Sequence, residues 1–247
     1  MRIISPTGRK LSFNNKKVEY DSEFLFLNNF DNISNGISIS EIGPNVEFLD
    51  TIFRIENSNV FSNKNCLKIY GYNSNYNISS ARTINTIKLL ENEIYTFETY
   101  FSNYGGGYTS SSYSEVTLDG NSFAFECDYS NNSYRIQISY NIQNDYTLYN
   151  SARYVTDANH CNYIFLPISL STPIHVAAVL KNGYVYVFGN GVLYIKSSCR
   201  TNATSTSIRF VRENYPTYIG INFISLRKGD FSNNLQSFTV PTKKYSL

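Results

Sequence analysis

The chain of 247 residues is 42% hydrophobic and 16% aromatic but only 16% charged, with a formal net charge of +2. This length and apolar content suit one all-β domain, and the weak, scattered positive charge argues against a basic nucleic-acid-binding surface, so no nucleic acid partner is predicted. Asn (32 residues) and Ser (31) dominate the polar residues, while Tyr (22) and Phe (17) supply every aromatic ring because Trp is absent.

The N-terminal residues 1–20 are polar and basic, and we expect an arm or docking segment there. They contain no apolar leader, and no run of the chain approaches the ~18 apolar residues of a membrane-spanning helix. The sequence therefore predicts neither membrane insertion nor export through a cleaved leader. Residues 21–247 are predicted to form a single domain.

Short apolar or alternating segments follow one another through the chain, and each is typical of a β-strand. In chain order they are Phe24–Leu27, Cys66–Tyr70, Ile94–Phe101, Phe123–Tyr129, Arg135–Tyr140, Ile174–Leu193 and Tyr218–Leu226. Within Ile94–Phe101, the side chains of Tyr95, Phe97 and Phe101 are predicted to share one face. Loops rich in Asn, Ser, Gly and Tyr separate the strands. Many short strands without helical periodicity predict an all-β fold, a two-sheet antiparallel jelly-roll sandwich.

Two Asn-Gly pairs within Ile174–Leu193 are the clearest local signal. Asn182-Gly183 and Asn190-Gly191 tolerate positive φ, which two-residue hairpin turns of the primed types require. The segment is therefore predicted to form three antiparallel strands. In the middle strand, Tyr184, Tyr186 and Phe188 alternate with Val185 and Val187, which predicts a strand buried on both faces.

The cysteines do not form a metal-binding pattern. They are Cys66, Cys127, Cys161 and Cys199, spaced 61, 34 and 38 residues apart, with no Cys-x-x-Cys pair. A zinc site needs local ligand clusters, so we predict free thiols partly buried in strands, with a disulfide framework as the alternative. Calcium is left open, because its oxygen ligands could come from Asp and backbone carbonyls, but the candidates Asp119, Asp145 and Asp157 are isolated. No cofactor is predicted.

Five segments form an ordered pattern over residues 21–247. They are Asp21–Asn35, Ser62–Tyr70, Tyr95–Tyr100, Pro173–Val179 with its Asn-Gly turns, and Tyr218–Gly229 with the tail Phe238–Thr242. This set resembles the concanavalin A-like, laminin-G-like jelly rolls of bacteriophage structural proteins. The closing segment carries the resemblance most strongly. The chain departs from the family pattern at Tyr100, where Trp is common, and at Ser237, where Asn is usual.

The resemblance implies that the closing strand pairs beside the opening strand, and that His175 is packed and hydrogen-bonded. It also implies a non-enzymatic virion protein of a tail, fibre or head decoration, assembled in the host cytoplasm. Its partners would be other virion proteins, bound through the N-terminal arm, or further copies of itself, and its ligand would be host-surface carbohydrate. A structural subunit without any ligand is the nearest alternative.

Some enzymes of this fold hydrolyse β-glucans with Glu-x-Asp-x-Glu or Glu-x-Asp-x-x-Glu on one strand, where the outer carboxylates flank the sugar. This chain has Glu126-Cys127-Asp128, but Ser130 and Asn131 stand where the third carboxylate should be. We therefore predict no catalytic residues and a solvated strand face for Glu126 and Asp128. A glycan hydrolase remains an alternative, as does a secreted lectin, against which the missing leader argues.

Carbohydrate binding is the remaining prediction. Sugars stack on aromatic rings and hydrogen-bond to Asn, Ser and Asp at loop tips, and the loops Tyr104–Tyr113, Tyr129–Tyr134 and Tyr146–Tyr154 have this composition. The predicted ligand-binding residues are Tyr104, Tyr108, Tyr113, Tyr129, Asn131 and Tyr134. The alternative is that Tyr, Asn and Ser merely reflect the composition of the whole chain.

Overall fold

A computed structural model describes residues 23–34, 36–49, 53–58, 60–62, 64–69, 79–103, 113–118, 123–128, 131–138, 145–156, 162–199, 203–213 and 219–245. Within these ranges the chain forms β-strands and no helix, as predicted. The predicted N-terminal arm, residues 1–20, lies outside the described residues. No helix in the described part of the chain is long and apolar enough to cross a membrane.

The strands are numbered in chain order. They are β1 (Phe24–Asn28), β2 (Ile33–Ser34), β3 (Ile37–Ser38), β4 (Val46–Phe48), β5 (Phe53–Asn57), β6 (Asn65–Ile69), β7 (Ser79–Thr83), β8 (Ile87–Lys88), β9 (Tyr95–Asn103), β10 (Tyr113–Leu118), β11 (Phe123–Asp128), β12 (Ser133–Ile138), β13 (Tyr146–Leu148), β14 (Arg153–Thr156), β15 (Asn162–Ser169), β16 (Ile174–Lys181), β17 (Tyr184–Gly189), β18 (Val192–Ser198), β19 (Ser205–Thr206), β20 (Ile208–Glu213) and β21 (Ile219–Lys228).

Two large antiparallel sheets make up the fold. The nine-stranded sheet has the order β13-β18-β17-β16-β9-β21-β6-β5, and β1 also pairs with β21. The ten-stranded sheet has the order β14-β15-β12-β11-β10-β20-β7-β4-β3-β2, and β8 pairs separately with β19. The predicted two-sheet jelly-roll sandwich is confirmed.

The main core lies between the two sheets. On β9 it takes Tyr95, Phe97 and Phe101, the face that the sequence predicts, and Phe101 packs against Phe125 of the facing sheet with ring centroids 4.9 Å apart. Alternate residues of each strand therefore point away from this core, and we call that side the outer face of each sheet.

The two Asn-Gly turns form as predicted. Asn182 and Gly183 have φ of 52° and 79°, and Asn190 and Gly191 have φ of 48° and 83°, which are the left-handed values of a type I′ hairpin. They connect β16, β17 and β18 into an antiparallel array, with one register shift between β17 and β18 at Val187 and Phe188. The middle strand β17 differs from the prediction, because only Phe188 of its outer-face residues is buried while Tyr184 and Tyr186 are partly exposed.

The closing strand β21 lies between β9 and β1 for part of its length, so the first and last strands pair as the resemblance implies. Beyond β21, residues 229–245 form a segment that crosses the outer face of the nine-stranded sheet; we call it the C-terminal segment. Its Phe238 packs in a small second core with Ala177, Val179 and Phe188. This segment covers a sheet face that would otherwise expose apolar side chains.

Candidate functional site

The carboxylates of Glu126 and Asp128 lie on the outer face of the ten-stranded sheet, on β11. The prediction of a solvated face is wrong for both, since Glu126 is 1% and Asp128 3% exposed. Arg135 on the neighbouring strand β12 offsets the cost of burying these two negative charges. Its Nε donates to Glu126 over 2.5 Å and its Nη1 to Asp128 over 2.7 Å.

Further contacts hold this ion cluster in place. The Asn131 backbone N–H and side-chain amide each donate to Asp128 over 3.1 Å, and the Arg135 guanidinium lies 3.9 Å from the centre of the Tyr163 ring. Burial alone lowers the pKa of Arg135, but the adjacent Glu126 carboxylate outweighs this and raises it above its ordinary value. The guanidinium thus stays protonated and neutralises the two carboxylates.

This arrangement differs from what glycoside hydrolysis needs. A retaining or inverting enzyme requires one carboxyl group that holds a proton near neutral pH and a second that acts as nucleophile or base. Here both carboxylates accept hydrogen bonds from one arginine, and Asn131 at the candidate third position donates an amide hydrogen.

His175 lies buried on the outer face of β16, beneath the C-terminal segment. Its Nε2 is 3.1 Å from Glu98 Oε2, and Glu98 also accepts from Arg227 Nη2 and, over 2.8 Å, from the Tyr245 hydroxyl. Burial raises the pKa of Glu98, but the His175 hydrogen bond and the Arg227 charge outweigh it and lower the pKa below 4.5. The expectation of a packed, hydrogen-bonded His175 is confirmed.

The three described cysteines, Cys66, Cys127 and Cys199, carry thiols that form no disulfide within the described part of the chain, as predicted for them. Cys161 lies outside the described residues. Burial raises the pKa of Cys127 well above its ordinary value and that of Cys199 to about 12, so neither thiol is ionised near neutral pH. Among the described residues, no group of three or more His, Cys, Asp or Glu is placed to hold a metal ion.

The predicted ligand-binding residues do not form one site in the described part of the chain. Tyr134 is fully buried, stacks on Phe125 and donates its hydroxyl to the Thr172 carbonyl over 2.8 Å, so it offers no ring face to a sugar. Its assignment as a ligand contact is therefore wrong. Asn131 is exposed beside the ion cluster. Tyr113 begins β10; Tyr104, Tyr108 and Tyr129 lie outside the described residues.

The third predicted loop, Tyr146–Tyr154, borders a hollow of about 350 Å³ on the outer face of the nine-stranded sheet. Strands β17 and β18 form its floor, the turn after β13 forms one wall, and the C-terminal segment forms the other. The lining residues are Tyr149, Asn150, Tyr186, Leu193, Lys196, Asn234, Leu235 and Gln236. We call this depression the outer hollow.

Local structure explains how the outer hollow is built. Tyr146 and Tyr154 stack on each other at 4.9 Å and pack against the core, which leaves the turn between them at the surface. The Asn150 side-chain amide ties this turn to β18 by donating to the Leu193 carbonyl over 2.8 Å. Tyr149 lies in this turn and is 36% exposed. Among the exposed large hydrophobic side chains of the described residues, it is the only aromatic one.

Sequence reasoning named the loop Tyr146–Tyr154 as one that could bind sugar, and this loop forms one wall of the outer hollow. It did not single out Tyr149 or Asn150, and none of the predicted ligand-binding residues that the structure describes lines the hollow. Tyr186 and Lys196 are direct cross-strand partners on β17 and β18, and the hairpin register could have placed them on one face. Nothing in the sequence indicated that Asn234–Gln236 would fold over the same face.

Known structures with the same fold differ widely in sequence. A β-glucanase of Bacillus licheniformis matches with a TM-score of 0.50 and 13% identity, over 86% of this chain and 100% of that chain. The Crh5 transglycosylase matches with a TM-score of 0.50 and 8% identity, over 83% and 84% of the two chains. No family model and no curated protein matches the sequence.

A binding domain of botulinum neurotoxin DC, solved in complex with SialylT, matches with a TM-score of 0.54 and 12% identity. The match covers 92% of this chain but only 49% of the neurotoxin chain, so this protein spans about half of that binding domain. At these identities the likeness concerns the fold alone. The chain therefore has the concanavalin A-like jelly-roll sandwich shared by glucanases and lectin-type binding domains.

Proposed function

We propose that this protein is a non-enzymatic carbohydrate-binding jelly roll and that the outer hollow holds the sugar. The observation that carries the proposal is the exposed Tyr149 ring beside a depression of about 350 Å³ lined by amide side chains. Sugars bind through stacking of their C–H faces on aromatic rings and through hydrogen bonds to amide groups. The outer hollow offers both within one depression.

The comparisons support a role with carbohydrate. The β-glucanase and the transglycosylase are enzymes named for chemistry on glycans, and the neurotoxin domain was solved with SialylT. Proteins that contain this sandwich therefore include glycan-active enzymes and a domain solved with a glycan ligand. Within that range, the Arg135 ion cluster favours binding, because it occupies the carboxylates that hydrolysis would need free.

The ligand proposal is tested with Tyr149→Ala on a glycan array. We expect retention of the bound glycans to fall about tenfold or more, since a stacked aromatic ring is removed while the fold is kept. Leu90→Ala is the control, because Leu90 is 59% exposed and lies outside the outer hollow. Equal retention by Tyr149→Ala and the unaltered protein would remove the outer hollow as the sugar site.

The non-enzymatic proposal is tested by incubating the protein with common β-glucans and assaying new reducing ends. We expect no release above a buffer control. Release that Glu126→Gln abolishes would establish the hydrolase alternative and contradict the proposal.

We also propose that this jelly roll belongs to a virion protein of a bacteriophage, docked through residues 1–20 to other virion proteins and assembled in the host cytoplasm. The resemblance of the opening and closing segments supports this, together with the pairing of β1 with β21 that the resemblance implies. Deleting residues 1–20 should prevent incorporation into particles while leaving the domain folded. Normal incorporation would refute the arm as the anchor.

A further inference from the structure

Lys196 is the only cationic side chain that lines the outer hollow among the described residues, and no acidic side chain lines it there. Its ammonium lies 4.2 Å from the centre of the Tyr184 ring and 5.9 Å from that of Tyr186. Within the described part of the chain, no carboxylate lies within ion-pair distance of it. The charge is therefore positioned by aromatic rings, and no acidic side chain among the described residues neutralises it.

Strand pairing on both sides fixes the position of Lys196 in the sheet. It pairs across the strands with Thr147 on β13 and with Tyr186 on β17, so these three residues form one row beneath the hollow. A cation over a tyrosine ring is attracted to the negative ring face, which restrains the long side chain. The ammonium keeps its N–H donors available to a ligand in the hollow.

From this geometry we infer that the outer hollow selects an acidic saccharide, one whose carboxylate binds the Lys196 ammonium. This inference rests on the proposed carbohydrate-binding function and names the ligand class for the same site. The sugar ring would contact Tyr149, and the side-chain amides of Asn234 and Gln236, both exposed on the opposite wall, would take its hydroxyls. A neutral sugar would leave the ammonium without an anionic partner, whereas a carboxylate gives it a charge-assisted hydrogen bond.

The experiment uses pairs of oligosaccharides that differ only in a carboxylate, such as a glucose-terminated chain and its glucuronic acid counterpart. Binding of each is measured by titration calorimetry with the full chain. We expect the acidic member to bind about tenfold or more tightly, and we expect that preference to weaken as salt is added.

The variant Lys196→Met removes the charge but keeps an unbranched apolar side chain over the tyrosines. It should abolish the preference, so that the acidic and the neutral member of each pair bind with similar affinity. Lys88→Met is the matched control, because Lys88 is exposed on β8 outside the hollow and its replacement changes the net charge equally. This control should keep the preference.

The outcomes separate the two proposals. If both members of each pair bind equally and Lys196→Met changes neither affinity, the inference of an acidic ligand is overturned and the carbohydrate-binding proposal stands. If Tyr149→Ala and Lys196→Met have no effect on any bound glycan, both proposals for the outer hollow fail. Each variant should unfold at the same temperature as the unaltered protein. An unchanged unfolding temperature excludes loss of folding as the cause of any change in binding.

Discussion

Several buried charges of this protein lie on the outer faces of the two sheets, away from the core between them. Glu98 lies beneath the C-terminal segment, and Glu126 and Asp128 lie beside Arg135. A buried charge is tolerated only when it is paired and hydrogen-bonded, because loss of hydration costs several kcal/mol per ion. Each cluster is therefore sensitive to removal of one member.

Replacing Glu98 by Gln should lower the free energy of unfolding by about 3–5 kcal/mol at pH 7, because it leaves the Arg227 charge buried without its carboxylate. The folded-state pKa of Glu98 is below 4.5, so its ionised form stabilises the fold above that pH and the contribution is lost as pH falls through the folded pKa. The difference between the unaltered protein and Glu98→Gln should therefore shrink below about pH 4.5. Urea unfolding of both proteins between pH 7 and pH 3 measures this difference in the free energy of unfolding. A difference that stays constant down to pH 3 would contradict the pairing, and the exposed Glu91→Gln is the control.

Replacing Arg135 by Met should also destabilise the fold by about 3–5 kcal/mol at pH 7, since two buried carboxylates would lose their common cation. Arg153→Met is the matched control, because Arg153 is exposed on β14 and lies 5.3 Å from the Phe165 ring without a described carboxylate partner. Denaturant unfolding of both variants gives the comparison. Equal losses would show that the ion cluster contributes no more than a surface arginine.

At the scale of elements, the two Asn-Gly turns are alike in backbone but different in surroundings. Both glycines have positive φ near 80°. A Cβ added at Gly183 would meet nothing within 4 Å, whereas one at Gly191 would lie 2.6 Å from the Phe238 carbonyl oxygen. The second turn is thus packed against the C-terminal segment, whereas the position of an added Cβ in the first turn has no described neighbour within 4 Å.

Alanine substitutions at the two glycines form a matched pair that tests this difference. Gly183→Ala should cost about 1–2 kcal/mol, the strain of an alanine in the left-handed region. Gly191→Ala should cost that amount and a further ~1–3 kcal/mol, because the backbone hydrogen bond from Phe238 N–H to the Gly191 carbonyl is displaced as well. Urea unfolding of the two variants side by side measures the difference, and equal costs would show that the C-terminal segment does not pack there.

The elements also show why some sequence predictions succeeded and one failed. In strand β9, core-facing and outward-facing side chains alternate regularly, and its core face was predicted correctly. Tyr134 was assigned to a loop because it follows a run of Ser and Asn, yet it shares its parity with Ile136 and Ile138 on β12 and therefore points into the core. Local composition was misleading there, and the period-2 pattern carried the correct information.

At the scale of the whole molecule, Lys244 joins the C-terminal segment to residues that follow β1 and begin β6. Its ammonium donates to the carbonyls of Asn29 and Asn65 and, over 3.1 Å, to Asp31. Burial lowers the pKa of Lys244, and the Asp31 carboxylate opposes this shift only in part. The C-terminal segment is thereby fastened to the strands that open the fold.

Replacing Lys244 by Met should destabilise the fold by about 1–3 kcal/mol, because the carbonyls of Asn29 and Asn65 and the Asp31 carboxylate lose their donor. Lys64→Met is the control, since Lys64 lies 3.8 Å from the same Asp31 but its side chain is 53% exposed. An exposed pair of this kind contributes about 0–1 kcal/mol. Thermal unfolding distinguishes the two, and an equal effect of both variants would show that burial of Lys244 is unimportant.

The sequence by itself determined the class of fold, the two hairpin turns and the core faces of the clearest strands. These features depend on local rules, namely the alternation of side chains along a strand and the tolerance of Asn and Gly for positive φ. Only the tertiary structure decided which segments come together to form the outer hollow. The outer hollow joins a turn near residue 150, two strands and a tail near residue 235, and the contacts that bring such distant segments together leave no pattern within any one of them.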